Sequence, residues 1–189
     1  MSATNAPFGV RVVYHPSGVI RTRTLTGFST IPSSAVYRGD LVKLTGGTDV
    51  ASIIAANDAA FGVFDGCRYT DSTGRPIYSP FWHASLSGVT NIEWYVIPFD
   101  PLMECEIQAG GSIANTAIGD SADIVIAAGN ANTGVSGSYM NTTLKGAAAV
   151  GNFRILGAAP YVDNAFGDSY TIVRVQIAKN QLLTEVNSI

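Results

Sequence analysis

The chain has 189 residues and a formal net charge of −3, with 13% charged and 47% hydrophobic residues. Globular proteins average about 25% charged residues, so this composition predicts a surface that is partly buried against a partner. The negative charge and the scattered Lys and Arg argue against nucleic acid as a partner. No run approaches the roughly 18 apolar residues of a membrane helix, and MSATNAPFGV at the start lacks a signal-peptide pattern.

Taken in chain order, the apolar runs predict short β-strands throughout. They show alternation with period two or are rich in β-branched and aromatic residues, and Gly, Ser, Asn and Asp separate them. The runs are 10–15, 19–25, 40–45, 60–66, 92–99, 103–109, 122–128, 153–158 and 172–177. Residues 49–60 fit either a short helix or a strand and a loop, and the small polar residues of 129–152 predict a long loop. We therefore expect a single all-β domain over 1–189, an antiparallel sandwich or barrel with long loops and extended termini.

A Gly-Asp pair opens three of these runs, at Asp40, Asp120 and Asp168. The same order of strand, variable loop, turn and strand follows the first two pairs, which indicates a weak internal repeat of 39–66 and 119–158. The three carboxylates suggest either a metal cluster or ordinary turn residues. We favour turns, because a calcium loop would place several carboxylates within about a dozen residues.

The remaining chemistry-bearing side chains are few and separate. Cys67, Cys105, His15 and His83 are single residues, without the close pairs typical of structural zinc. We expect the two cysteines to be buried thiols rather than a disulfide or a catalytic nucleophile. The sequence has no Walker loop and no nucleophile elbow, so we expect no metal, no cofactor and no enzymatic activity.

One carboxylate pair remains as a candidate for acid–base chemistry. Glu104 and Glu106 lie on one face of a predicted strand, about 6–7 Å apart from the strand rise, which is in the range of glycosidase pairs. The alternative, which we favour, is a solvated strand face whose other side buries Met103, Cys105 and Ile107.

Residues 59–82 hold the densest group of aromatic side chains. FGVFDGCRY predicts a strand, TDSTGRP a turn carried by Asp71, Gly74 and Pro76, and IYSPFW the start of a return strand. Aromatic and arginine side chains on such a hairpin are either part of the core or a surface gripped by another protein. The candidate partner-binding residues are Arg68, Tyr69, Arg75, Tyr78, Phe81 and Trp82.

The order of several segments resembles a family of structural proteins of tailed bacteriophages, the capsid decoration or cement proteins. The segments are YRGDLVKL (37–44), AANDAAFGVFDGCRYTDSTGRPIYSPFW (55–82), VIPFDPLMECEIQA (96–109), IANTAIGDSADIV (113–125) and GDSYTIVRVQI (167–177). The resemblance implies a non-enzymatic all-β protein that forms a homo-oligomer, a dimer or a trimer. It also implies that the protein binds the outer surface of the major capsid protein shell on the virion and stabilises it, after synthesis in the host cytoplasm.

Two further expectations remain open at this point. A carbohydrate-binding or head-fibre β-module is the alternative function, and a β-fold hydrolase is a third possible function. The termini, 1–10 and 182–189, carry little that could pack alone. We expect at least one of them to be an arm that is ordered against a neighbouring subunit.

Overall fold

The computed structural model describes residues 4–28, 30–45, 50–55, 58–146 and 149–182. In these ranges the chain forms twelve β-strands and one 3₁₀ helix, Asn115–Ala117, with no α-helix and thus no helix able to cross a membrane. The strands are β1 (Arg11–Tyr14), β2 (Arg23–Leu25), β3 (Leu41–Thr45), β4 (Val50–Ile53), β5 (Gly62–Thr70), β6 (Pro76–Ser79), β7 (Thr90–Pro98), β8 (Glu104–Gln108), β9 (Ser121–Val125), β10 (Tyr139–Lys145), β11 (Phe153–Ala158) and β12 (Ile172–Ile177).

Six strands form sheet I, in the order β1-β8-β12-β11-β9-β10, and all neighbours are antiparallel. The sheet curls until Ala109, directly after β8, forms a parallel bridge with Met140 of β10. Gly110 allows this approach, because a Cβ atom there would lie 2.6 Å from the Tyr139 ring. Sheet I is therefore a curled half-barrel.

Sheet II has the order β2-β7-β5-β3-β4, with β6 paired to the second half of β5. Its strands bury alternate residues in two different apolar clusters. Leu41 and Val63 pack with sheet I in the first cluster. Val42 and Phe64, one residue further along, pack in the second cluster with side chains such as Trp82 from the connecting segments. Sheet II therefore lies between sheet I on one side and a covering layer of loops on the other, and the predicted all-β fold of packed antiparallel sheets is confirmed.

Two halves of the chain share one strand arrangement. The orders are β7-β5-β3-β4 in sheet II and β12-β11-β9-β10 in sheet I. A Gly-Asp turn precedes β3 and β9, with φ of 95° at Gly39 and 94° at Gly119. These values lie in the left-handed region that favours glycine. Each glycine N–H donates at 2.9 Å to a carbonyl of the third strand of its own half. Gly39 donates to Phe64 of β5, and Gly119 donates to Ile155 of β11.

A β-bulge occurs at the same place in both halves. Asp65 is the extra residue between the paired residues Phe64 and Gly66 of β5. Leu156 is the extra residue in the equivalent position of β11, before Gly157. The sequence echo between 39–66 and 119–158 falls on these turns and bulges, so equivalent positions in the two halves can be compared one by one.

The predicted runs all overlap strands, but one prediction is wrong. Residues 129–152 are not simply a loop, because they contain β10, which pairs with β9. Met140 of this strand is buried while Thr142 and Thr143 are exposed, so the apolar alternation that marks a half-buried strand is weak there. In residues 49–60 the strand alternative is the correct one, since β4 lies there.

The N-terminal segment contacts its own chain where the structure describes it. The Gln108 side chain, which is buried in sheet I, accepts a hydrogen bond from the Ala6 N–H at 2.9 Å and donates to the Thr4 carbonyl at 3.0 Å. Residues 1–3 and 183–189 lie outside the described residues. The predicted arm at 182–189 therefore lies almost entirely outside them as well.

Candidate functional site

The predicted hairpin is formed by β5 and β6, with Thr70 opposite Pro76. Its turn is organised by Asp71, whose carboxylate accepts hydrogen bonds from the N–H groups of Arg75 at 2.9 Å and Thr73 at 2.8 Å. These hydrogen bonds lower the pKa of Asp71, and the bond from the Arg75 N–H has the largest effect. They do so because they stabilise the charged form of the carboxylate. The turn therefore holds the Arg75 backbone in a fixed position at the exposed tip.

One face of the hairpin belongs to the core. Tyr69, Phe81 and Trp82 are all buried, and Trp82 is 0% exposed. The Trp82 ring lies edge-on to Tyr69 with 5.4 Å between centroids, and its Nε1–H donates to the Pro32 carbonyl at 2.9 Å. These three predicted partner-binding residues are therefore packed inside their own chain, with little surface left for a partner.

The opposite face of the hairpin is open. Arg68 lies in register between Tyr78 on β6 and Glu93 on β7. Its guanidinium carbon is 5.4 Å from the centre of the Tyr78 ring, and its Nη1 is 3.6 Å from Glu93 Oε1. Tyr78 is 68% exposed. The predicted residues Arg68 and Tyr78 thus form one row across three strands, with Arg75 at the adjacent tip.

Tyr95 extends this row towards the centre of sheet II. Its hydroxyl donates to Glu93 Oε2 at 3.3 Å. Burial raises the pKa of Tyr95, and the neighbouring Glu93 carboxylate raises it further, so this phenol stays protonated at neutral pH. We call Arg68, Tyr78, Glu93 and Tyr95 the open face.

A cleft of about 290 Å³ lies on the same side of sheet II, where the two sheets diverge. Val63 and Ile97 form part of its apolar lining, and Val12 faces them from sheet I. At its rim, Arg38 Nε donates to Asp65 Oδ1 at 2.8 Å. The open face and the cleft together present aromatic, apolar and paired charged groups on one continuous side of the sheet.

The carboxylate pair of β8 is held in ion pairs. Arg174 of β12 lies 3.6 Å from Glu104 and 3.5 Å from Glu106. The Tyr161 hydroxyl donates to Glu106 at 2.5 Å, which raises the pKa of Tyr161. The interpretation of a solvated strand face is wrong for Glu106, which is only 2% exposed. Its opposite side does bury Met103, Cys105 and Ile107 as expected.

The remaining candidates do not converge on one site. Among the described residues, no three His, Cys, Asp or Glu side chains lie close enough to hold a metal ion. Both cysteines are free and buried. Burial raises the pKa of Cys67 to about 12, and burial also raises the pKa of Cys105. His15 lies 3.4 Å from Asp100, and His83 lies against the Phe81 ring.

Sequence reasoning missed Glu93 and Tyr95, although a signal for them exists. In NIEWYVIP, period-two alternation places Glu93, Tyr95 and Ile97 on the face opposite Trp94 and Val96. Only the pairing of β7 with β5 shows that this face continues the hairpin. No protein-family model, curated protein or solved structure matches the chain.

Proposed function

We propose that this protein is a capsid decoration protein of a bacteriophage, a non-enzymatic oligomer that binds the major capsid protein on the virion surface. The open face and Arg75 make the contact in this proposal. The observation that carries it is the Arg68–Tyr78 pair, an arginine stacked on an exposed tyrosine. Tyr and Arg are the residue types that most often dominate protein–protein binding energy.

Two further features support this proposal. The hairpin turn is fixed by Asp71, and Arg68 is held between Glu93 and Tyr78, so little side-chain entropy is lost on binding. The low content of charged residues is typical of a surface that becomes buried in an assembly. The order of the sequence segments resembles decoration proteins, and the proposal takes the identity of the partner from that resemblance.

Co-sedimentation with undecorated capsid shells tests the proposal. We expect the wild-type protein to sediment with the shells. Arg75→Ala and Tyr78→Ala should each weaken binding by about 2 kcal/mol, or roughly 30-fold, as binding hot spots do. Tyr14→Ala is the matched control, because Tyr14 is an exposed tyrosine at the edge of sheet I. A wild-type protein that stays in the supernatant contradicts the proposed function, and equal losses for all three variants contradict the proposed contact surface.

The second candidate is a carbohydrate-binding or head-fibre module. Tyr78 and Tyr95 both lie on the open face, where Arg68 contacts the Tyr78 ring and Glu93 accepts a hydrogen bond from Tyr95. A phenol ring offers an apolar body with a polar tip, which also suits the faces and hydroxyls of a sugar. Strong, selective binding on a glycan array, lost in Tyr78→Ala, would favour this candidate over the first.

A further inference from the structure

The Gly-Asp turn of the first half is covered by a segment of the second half. Residues 134–136 run alongside it, and Val135 forms a parallel bridge with Arg38. The Arg38 N–H donates to the Gly134 carbonyl, and the Ser136 N–H donates to the Arg38 carbonyl, both at 2.9 Å. We call 134–136 the covering segment. It adds to the turn as a β-strand adds to a sheet edge.

Two serine hydroxyls donate hydrogen bonds to the Asp40 carboxylate. One serine belongs to the covering segment, and the other follows it by two residues. Ser136 and Ser138 donate to Asp40 Oδ1 at 2.5 and 3.3 Å. The Tyr37 N–H donates to the other oxygen at 2.8 Å. Asp40 is thereby buried with hydrogen-bond partners for both of its oxygens, as a buried carboxylate requires.

In the part of the chain that the structure describes, no segment covers the equivalent turn of the second half in this way. Ile118, Asp120 and Leu156 occupy the positions of Arg38, Asp40 and Asp65. Ile118 is 53% and Leu156 39% exposed, where the first half has an ion pair. No described residue makes a hydrogen bond to the Asp120 side chain, and none of their main-chain N–H groups donates to the Ile118 carbonyl. We call Ile118, Gly119, Asp120 and Leu156 the uncovered turn.

The lengths of the connections explain the difference. The covering segment comes from the connection between β9 and β10, residues 126–138. The counterpart in the first half joins β3 to β4 through residues 46–49 only. The first half therefore has no connection of comparable length to place over the second turn. Ile118 and Leu156 stay exposed there, and the Ile118 carbonyl and the Asp120 carboxylate have no hydrogen-bond donor among the described residues.

We propose that the uncovered turn is the docking site for an extended segment of the major capsid protein. The segment adds to the main chain at Ile118 as the covering segment adds at Arg38. It packs an apolar side chain on Ile118 and Leu156 and donates a hydroxyl to Asp120. The source of the segment rests on the proposed function. Its chemistry, an apolar residue followed by Ser or Thr, rests on the internal example in the first half.

A peptide supplied in trans tests the chemistry of the site. The probe is NANTGVSGS, residues 130–138 of the chain itself, titrated into ¹⁵N-labelled protein. We expect shifts of the Ile118, Gly119 and Leu156 amides, with a dissociation constant on the order of 1 mM for so short a segment. The same peptide with Ala in place of both Ser residues should bind more weakly, because it cannot donate to Asp120.

The matched variant copies the first half into the second. Ile118→Arg combined with Leu156→Asp recreates the pair formed by Arg38 and Asp65, so the fold should keep its melting temperature while peptide binding weakens by about tenfold or more. Leu102→Asp, at another exposed leucine, should leave binding unchanged. The proposal is overturned if the three amides do not shift at about 10 mM peptide, or if the double variant binds as well as the wild type.

Capsid shells test the source of the segment separately. If the wild-type protein sediments with shells, the concentration of the double variant needed for the same occupancy of the shells should be about tenfold higher. Equal occupancy would overturn the assignment of the segment to the capsid protein. A wild-type protein that does not sediment contradicts the proposed function and that assignment together, and the peptide titration then still decides whether the turn binds extended segments.

Discussion

Replacing Trp82 with Ala tests the division of the hairpin region into a core face and an open face. Trp82 is fully buried, 5.4 Å from Tyr69 and 5.8 Å from Trp94 between ring centroids. A buried tryptophan removes about 150–250 Å² from water, or roughly 4–6 kcal/mol at 25 cal/mol per Å². Measured Trp→Ala losses are about 3–5 kcal/mol. We therefore expect a loss of about 4 kcal/mol in the free energy of unfolding and, at about 2–4 °C per kcal/mol, a fall in melting temperature of roughly 8–16 °C.

Urea denaturation and thermal melting of the free protein measure this effect. Tyr78→Ala is the control from the open face, and we expect it to cost less than about 1 kcal/mol, the value of an exposed cation–π pair. If Trp82→Ala is too unstable to purify, Trp82→Phe keeps most of the ring and loses the hydrogen bond to Pro32, for about 1–2 kcal/mol. A Trp82→Ala melting temperature within about 2 °C of wild type would refute the burial argument, and so would an equal loss in Tyr78→Ala.

Three other buried side chains lead to predictions that can be checked on the free protein. Burial raises the pKa of Asp40, so this group favours folding most below its ordinary pKa, and its contribution declines as the pH rises through the folded-state value. Asp40→Asn has no carboxylate at this position and should not show that decline. The difference in free energy of unfolding between the wild type and this variant, measured by urea denaturation between about pH 4 and 7, should therefore shrink as the pH rises. With the pKa of Cys67 at about 12, only about one thiol in ten thousand is ionised at pH 8. Ellman's reagent should therefore label neither Cys67 nor Cys105 until guanidinium unfolds the chain, and rapid labelling of the native protein would contradict their burial.

Local patterns predicted most of the strands because alternation is a property of short segments. Val173, Val175 and Ile177 alternate with polar residues, and all three are buried in β12. The prediction fails where an edge strand is mostly polar, as in β10. Its Met140 is buried in the core, while Thr142 and Thr143 are exposed to solvent. One buried position is too weak a pattern to predict a strand.

The candidate site was only half predictable, because burial on the second face of sheet II depends on distant segments. Trp82 is buried because Val36 and Val89, from other loops, pack in the same apolar cluster. Nothing near Trp82 in the sequence distinguishes that arrangement from an exposed aromatic. A signal was nevertheless present in FGVF (61–64), whose continuous apolar character is typical of a strand buried on both faces. Glu106 shows the same limit, since its partners Arg174 and Tyr161 come from elements far along the chain.

The two Gly-Asp turns separate what local sequence determines from what its surroundings determine. Gly39 and Gly119 have nearly the same φ and bond the third strand at the same distance, because glycine permits this conformation and aspartate suits the turn. What differs is the neighbourhood: Asp40 is enclosed by serine hydroxyls, whereas no described residue hydrogen-bonds the Asp120 side chain. A buried polar group must find a partner, so covering the second turn with an apolar segment alone would leave the Asp120 carboxylate without one. This is the physical reason for expecting a hydroxyl-bearing segment at the uncovered turn.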